Sequence, residues 1–380
     1  MAILMDDGRV VQRILQHIGN GTTDLGEDTW REPVDNYRSK DRLTTEIERV
    51  LRRSPIPFCP SGALPEAGSY VAREAAGTPV LAVRGEDGTV RAFRNACRHR
   101  GMQVASGSGS AKSFICRYHG WTYRLDGSLR QIPHEHGFPG LDKNVHGLSP
   151  VHAVERYGLV FVNQEREAAD KGFPAGSLED LAHVISPEQL LFAASEREVA
   201  ANWKILLEGF IEGYHIRPTH PETFYPYGFD NLNVIETFGR NSRVTYPFRR
   251  IAKLADVPPE KRRVDGLLTY VYHLFPNVLI TVLSRHTNLV VLEPVTVDST
   301  KIVTYSLTNR GSDQAEMLNE ARRDAEFVGE TGAAEDRAMA SAIQLGLASG
   351  ANEVFTYGRF ESAIVHFHRT LNAALEQTRR

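Results

Sequence analysis

The chain has 380 residues, with 44 Lys and Arg against 47 Asp and Glu and a formal charge of −3. That length suits two domains or one with an insertion, and the charge gives no basic field for nucleic acid or an anionic membrane. Three cysteines exclude a disulfide-stapled scaffold, no apolar run reaches the ~18 residues of a membrane span, and the N-terminus is too polar for a signal peptide, so a cytoplasmic enzyme without nucleic-acid or membrane partners is expected.

Residues 1–44 place Ile14, Leu15 and Ile18 at helical spacing, ahead of a polar stretch. Between about Pro55 and Gln164 the texture changes to short runs and turn pairs. Pro79–Arg84 and Thr89–Arg94 flank Gly85-Glu86-Asp87-Gly88, which predicts a hairpin, and Trp121–Leu125 followed by Asp126-Gly127 repeats the logic. Residues 45–164 therefore read as a small β-module. Within it Ser106–Ser110 reads as a flexible loop tip, lacking what a phosphate loop needs.

A polar stretch, Glu165–Gly176, leads into the region 165–380. Trp203–Tyr214 has a helical pattern, with Leu206, Leu207, Phe210, Ile211 and Tyr214 three or four apart. Leu268–Phe275, Val278–Leu283, Leu289–Leu292 and Lys301–Leu307 read as strands. Residues 313–348 predict a long helix, and 362–377 a last one with Ile364, Phe367 and Leu371 on one face. Strands followed by helices, without strict alternation, argue for α+β and against a doubly wound sheet.

Two cysteines sit in paired motifs, Cys97-Arg98-His99-Arg100-Gly101 and Cys116-Arg117-Tyr118-His119-Gly120-Trp121. Two thiolates and two imidazoles on convergent loops suit either a structural zinc ion or a Rieske [2Fe–2S] centre. The mixed Cys/His order does not match a ββα zinc finger. Lone Cys59 reads as a buried small residue.

A second set follows in Asn202-Trp203-Lys204 and, downstream, Glu208, Glu212, Tyr214, His215, Pro218 and His220. Two histidines five apart are about 140° out of phase on a helix, so they share a metal only if the helix ends between them. Pro218 is expected to supply that break. Glu212, three residues before His215, is expected on the same helical face.

Together these motifs resemble the Rieske non-haem iron oxygenases, the terminal (alpha) components of ring-hydroxylating systems. The resemblance implies an all-β Rieske domain over 45–164, near the N-terminus. It also implies a helix-grip (START-like), antiparallel-sheet catalytic domain over 165–380, with segment 1–44 packing on it. Cys97 and Cys116 would ligate the inner iron of the [2Fe–2S] cluster, and His99 and His119 the outer one. His215 and His220 would hold a mononuclear Fe(II) with a carboxylate from 335–347. Asp336 is the expected ligand and Glu335 the alternative.

Glu212 occupies the family position that joins the iron-ligand histidine to a cluster histidine of a neighbouring subunit. Glu there, where many dioxygenases have Asp, is similar to the quaternary-ammonium and N-demethylating branch. Gly209 stands where Asn is commoner. The resemblance further implies O2 and a small organic substrate, a separate NAD(P)H reductase with or without a ferredoxin, and a homotrimer. Hydroxylation or oxidative dealkylation of an amine or quaternary ammonium is expected, with cis-dihydroxylation of an aromatic ring as the alternative. Phe224, Tyr225, Tyr227 and Phe229, with Tyr270, Tyr272, His273 and Phe275, are candidates to stack on substrate, although such clusters more often form core. Arg243, Arg249 and Arg285 are candidate carboxylate anchors. A Rieske electron-transfer protein would leave the second set unexplained, and a zinc-stabilised binding protein would explain neither.

Overall fold

A computed structural model describes residues 4–165, 178–179, 181, 184–309 and 314–377, the side chains of 314–316 excepted. Most of the polar stretch Glu165–Gly176 and the start of the expected helix at 313 lie outside these. The chain divides into two compact units, Arg52–Ala175 with Ile185–Glu188, and Met1–Leu51 with Gly176–Val184 and Gln189–Arg380.

The larger unit opens with helix α1 (Asp7–Asn20), which buries Val10, Val11 and Ile14. Asp6 caps its first turn, and Gly21 ends it in the left-handed region at φ 60°. Strand β1 (Trp30–Pro33) and helices α2 (Asp35–Arg38) and α3 (Lys40–Glu46) follow.

The smaller unit contains β2 (Ile56–Pro60), β3 (Ser69–Ala75), β4 (Thr78–Arg84), β5 (Val90–Arg94), β6 (Gly107–Ser110), β7 (Phe114–Ile115), β8 (Thr122–Tyr123), β9 (Leu129–Gln131), β10 (Pro150–Arg156) and β11 (Leu159–Asn163). Its antiparallel sheet runs β2-β11-β10-β5-β4-β3-β6, beside a three-stranded sheet β7-β8-β9. The β4–β5 hairpin closes as its turn residues predict, with Gly85 N–H donating to Thr89 O at 2.9 Å. Ser106–Ser110 differs from expectation, because Gly107–Ser110 pairs with β3 as an exposed edge strand. Its glycines let it lie flat against Tyr70, whose hydroxyl would be 3.2 Å from a Cβ at Gly109. Cys59 is fully buried, and burial pushes its thiol up to about 12.

The larger unit continues with β12 (Leu191–Val199), α4 (Trp203–Phe210), α5 (Ile216–Thr219), β13 (Val234–Phe238), β14 (Asn241–Pro247), β15 (Leu268–Leu274), β16 (Val278–Val282), β17 (His286–Thr296) and β18 (Ser299–Thr308). Then come α6 (Gln314–Glu330), α7 (Gly332–Leu347), β19 (Val354–Tyr357) and α8 (Ser362–Gln377). Seven antiparallel strands lie in the order β12-β18-β17-β16-β15-β14-β13. Helix α8 packs on β13 and β14, and α4 on β17 and α7. The architecture is α+β, as expected. The single helix expected over 313–348 is two, broken at Thr331, whose ψ of −98° cannot continue a helix.

Helix α4 is buried nearly all round, including Trp203, Lys204 and Glu208. Asn202 caps it, accepting from Lys204 N–H at 3.0 Å and donating to Tyr37 O and Val297 O. Lys204 Nζ lies 2.8 Å from Glu46 Oε2, which also accepts from Trp203 Nε1 at 3.1 Å. Burial pulls the lysine below its ordinary value, and Glu46 opposes it. Lys204→Ala leaves Glu46 buried with Arg42 as its remaining cation, 2.9 Å away. We expect a loss of about 3 kcal/mol, the lower end for a broken buried pair, read as a lower urea midpoint.

Candidate metal centres and active site

The two Cys/His loops are built alike. Gly101 N–H donates to Cys97 O and Gly120 N–H to Cys116 O, each at 2.8 Å. Both glycines have positive φ, 80° and 75°, which side-chain-bearing residues disfavour. Asn95 ties the first loop down by accepting from Val104 and Ala105 N–H at 3.0 and 3.2 Å. Cys97 and Cys116 are buried, whereas His99 is half-buried and His119 exposed. His99 stacks on Trp121 at 5.1 Å between centroids, and its ring is 4.6 Å from that of His119. Burial, His119 and Arg100 hold His99 below its ordinary value, which favours the neutral imidazole a metal needs.

Two buried thiols and two accessible imidazoles fit a Rieske cluster, with sulfur on the inner iron and nitrogen on the outer. A single zinc would need all four ligand atoms close around one point. Among the described residues, only His215, His220 and Asp336 gather that tightly, with ligand atoms within 4.8 Å of one another. Tyr123, fully buried, lies outside both Cys/His motifs, so neither marks it. Its oxygen accepts from Arg98 N–H at 2.9 Å and lies 3.2 Å from Cys97 Sγ, so its proton is free to point at the sulfur.

The second set depends on where α4 stops. The helix ends at Phe210, not at Pro218, and Ile211 leaves the helical region at φ −111°. Gly213 is the reason the chain can turn there, because any side chain would overlap Asn233. Tyr246 reaches the loosened carbonyls, its hydroxyl lying 2.9 Å from Phe210 O and 3.1 Å from Glu212 O. Pro218 sits inside the four-residue α5, where its missing N–H has no helical partner to lose. His215 and His220 are the residues flanking that short helix. Glu212 thus lies on a turn and not on a shared helical face with His215. From the turn its carboxylate accepts from the N–H groups of Tyr214 and His215 and meets His215 Nδ1.

Asp336 arrives from the first turns of α7, which come close because Gly332 has no side chain to strike the Phe224 ring. Asp336 Oδ1 lies 3.5 Å from His215 Nε2 and 2.8 Å from His220 Nε2. The second contact is close but misdirected. His220 Nε2 is buried and lacks hydrogen-bond geometry to any partner among the described residues. A lone pair aimed beside a carboxylate oxygen, at a shared point, is what two ligands of one cation present. Glu335 faces the other side of His220, its Oε2 lying 2.7 Å from Nδ1 and accepting from Thr223 Oγ1 at 2.7 Å. Each ring therefore has a carboxylate on Nδ1, the usual backing of metal-ligating histidines. Burial disfavours charge on His215, but Asp336 and Glu212 outweigh it and hold the ring up at about 10; burial likewise works against the Asp336 carboxylate, and the two rings outweigh it and hold Asp336 down. The carboxylates make this a site for positive charge, a ring proton or a metal ion in its place, and two His with one carboxylate fit Fe(II).

This set opens on a cavity of about 1480 Å³ between the sheet and the helices. Phe224, Tyr227, Phe229 and Phe248 line one part, and Ser195, Arg197, Thr304 and Arg337 another. Arg249 and Arg285 also line it, whereas Arg243 is buried against Glu236 at 2.5 Å. Tyr270 and Tyr272 border a separate cavity beside α1, and His273 is fully buried. Tyr225 instead carries Arg217 and Arg249 over its ring. Glu361 faces the first cavity, and burial together with Glu212 and Glu208 raises it to about 7 although Gly358 N–H opposes.

The chain belongs to the ring-hydroxylating alpha-subunit family, whose catalytic-domain model matches residues 187–377, just over half its length. The Rieske [2Fe–2S] domain matches 54–147. It is thus a Rieske non-haem iron oxygenase, carrying a [2Fe–2S] cluster and a mononuclear iron. Among curated proteins it is similar to the carnitine monooxygenase oxygenase subunit of Escherichia coli K12, 29% identical over 91% of this chain and 94% of that one. Among solved structures it resembles the quaternary ammonium Rieske monooxygenase CntA with γ-butyrobetaine, with TM-score 0.73 and 23% identity over 91% and 94% of the two chains. Naphthalene 1,2-dioxygenase from Rhodococcus sp. is similar in fold, with TM-score 0.76 and 19% identity over 99% and 100%. No helix among the described residues is long and apolar enough to cross a membrane.

Proposed function

We propose that this oxygenase acts on an amine or quaternary ammonium compound, hydroxylating it or removing an alkyl group. His215, His220 and Asp336 hold its mononuclear iron, and Cys97, His99, Cys116 and His119 its cluster. The observation that carries the reading is the convergence of two carboxylate-backed histidines and Asp336 on one point facing the cavity. When bound, the cluster supplies single electrons and the mononuclear iron the site of O2 activation.

The chain's own residues do the rest. Glu212 and Glu335 fix the tautomer and angle of the two rings. The aromatic wall excludes water and offers faces to a cation, with Glu361 a carboxylate within the same cavity. Glu212 would join His215 to the cluster ligand His119 of a second copy of this chain, which calls for a closed head-to-tail homotrimer. The electrons come from a separate NAD(P)H reductase, with or without a ferredoxin, in the cytoplasm.

Oxygen uptake with a surrogate reductase tests this. γ-Butyrobetaine and glycine betaine are expected to stimulate uptake with release of an oxygenated or dealkylated product. Stimulation only by aromatic hydrocarbons or acids, yielding cis-diols, would replace this reading with the dioxygenase one, which the cavity's Phe224, Phe229 and Phe248 also suit. For the cluster, Tyr123→Phe removes one hydrogen bond to Cys97 Sγ. Its reduction potential is expected to fall by about 40 mV, the equivalent of about 1 kcal/mol, with the cluster retained.

A further inference from the structure

Beneath the cavity lies a buried set of proton-bearing groups that iron ligation does not use. Tyr37 OH donates to Glu208 Oε1 at 2.7 Å and Tyr357 OH to Glu208 Oε2 at 2.8 Å. The two hydroxyls are themselves 2.9 Å apart. His368 Nε2 lies 2.8 Å from Glu208 Oε1 and 3.1 Å from Tyr37 OH. Tyr37 and His368 are fully buried, while Glu208 and Tyr357 reach the cavity wall.

Counting protons shows what the arrangement can hold. Glu208, Tyr37 and Tyr357 make a ring of three short O···O contacts, but an ionised Glu208 leaves two hydroxyl protons to fill them. Losing a tyrosine proton is no remedy, because burial and Glu208 push both phenols well above their ordinary value. One added proton on Glu208 fills the ring. The far side leads outward. His368 Nδ1 is buried without a hydrogen-bond partner among the described residues and faces Glu32 Oε1 at 3.5 Å, and Glu32 accepts from the half-buried Asn36 at 2.5 Å.

We propose that Glu208, with Tyr37, Tyr357 and His368, takes up one proton when the metal centres are reduced and delivers it to oxygen chemistry in the cavity. The proposal rests on the oxygenase reading of that cavity. Placing one atom of O2 in a C–H bond and releasing the other as water consumes two electrons, from the reductase, and two protons, as does placing both atoms on a ring. The proton leaves Glu208 for the reduced oxygen, and His368 restores it from the Glu32 side. Among the described residues, Lys204, Glu361 and Glu32 are charged groups that interact with this set.

Redox-difference infrared spectroscopy of the iron-loaded holoenzyme tests the proposal without any substrate. Reduction is expected to produce a carboxylic-acid C=O band that shifts in D2O and is lost in Glu208→Gln. No such band in the wild type, or its persistence in Glu208→Gln, overturns the proposal. Should that variant fail to fold, Tyr357→Phe keeps the carboxyl but breaks the ring; the band is expected to shift, and an unmoved band is equally contrary. With γ-butyrobetaine as probe, O2-driven reoxidation of the reduced cluster is expected to slow about 100-fold in Glu208→Gln, with an altered solvent-deuterium effect and unchanged iron content. A merely structural role would lower the melting temperature and leave that isotope effect unchanged. If γ-butyrobetaine drives no uptake in the wild type, the substrate class fails while the infrared band still decides the relay.

Discussion

Replacing Asp336 by alanine is expected to leave a brown protein that keeps its [2Fe–2S] cluster and loses its mononuclear iron. Two neutral imidazoles remain, without the carboxylate that offsets the ion's charge. His220 Nε2, already buried and unpartnered, then faces neither ligand nor water. Iron analysis should fall from about three to about two per chain while the Rieske spectrum stands unchanged. Oxygenation should drop by more than about 100-fold. Glu335→Gln is the contrasting change. Its carboxylate backs His220 Nδ1 and holds Thr223, so the amide should weaken iron affinity by about 10- to 100-fold and be rescued by added Fe(II). If Glu335→Gln empties the site and Asp336→Ala does not, the two roles are exchanged.

Glu212→Gln is expected to keep both metal centres and lose the proposed electron path between the cluster and the mononuclear iron. One carboxylate oxygen takes two backbone N–H groups and the other meets the His215 ring. A glutamine can satisfy only one of those sides, because its NH2 group meets donors on the other. Anaerobically reduced enzyme mixed with O2 and substrate should then show cluster oxidation slowed by about 100-fold or more at unchanged iron content. Unchanged transient kinetics would remove Glu212 from the path.

The features legible in the sequence were those with a local cause. Gly85-Glu86-Asp87-Gly88 closed its hairpin because turn chemistry is local, and Ile364, Phe367 and Leu371 face the core because a helical period is local. The Cys/His loops were legible through spacing, since each glycine falls four residues after its cysteine and closes the same bond. What the sequence concealed depends on distant partners. Pro218 looked like the helix breaker, but the break comes earlier, where Gly213 yields to Asn233 and Tyr246 takes the loose carbonyls. Ser106–Ser110 looked like a loop because glycine and serine have no strand preference; pairing with β3 overrides that. Glu335 and Asp336 are neighbours in the chain, and only the helix phase separates the one behind His220 from the one between the two rings. Glu208, Tyr37, Tyr357 and His368 come from four separate elements, so no window of sequence contains their ring.

Iron and acid-labile sulfide measured on the purified chain, with the EPR spectrum of its reduced form, test the central claim most directly. Two metal centres in one chain predict about three irons and two sulfides per chain, with a Rieske signal upon reduction. A colourless protein with one zinc and no sulfide would contradict it.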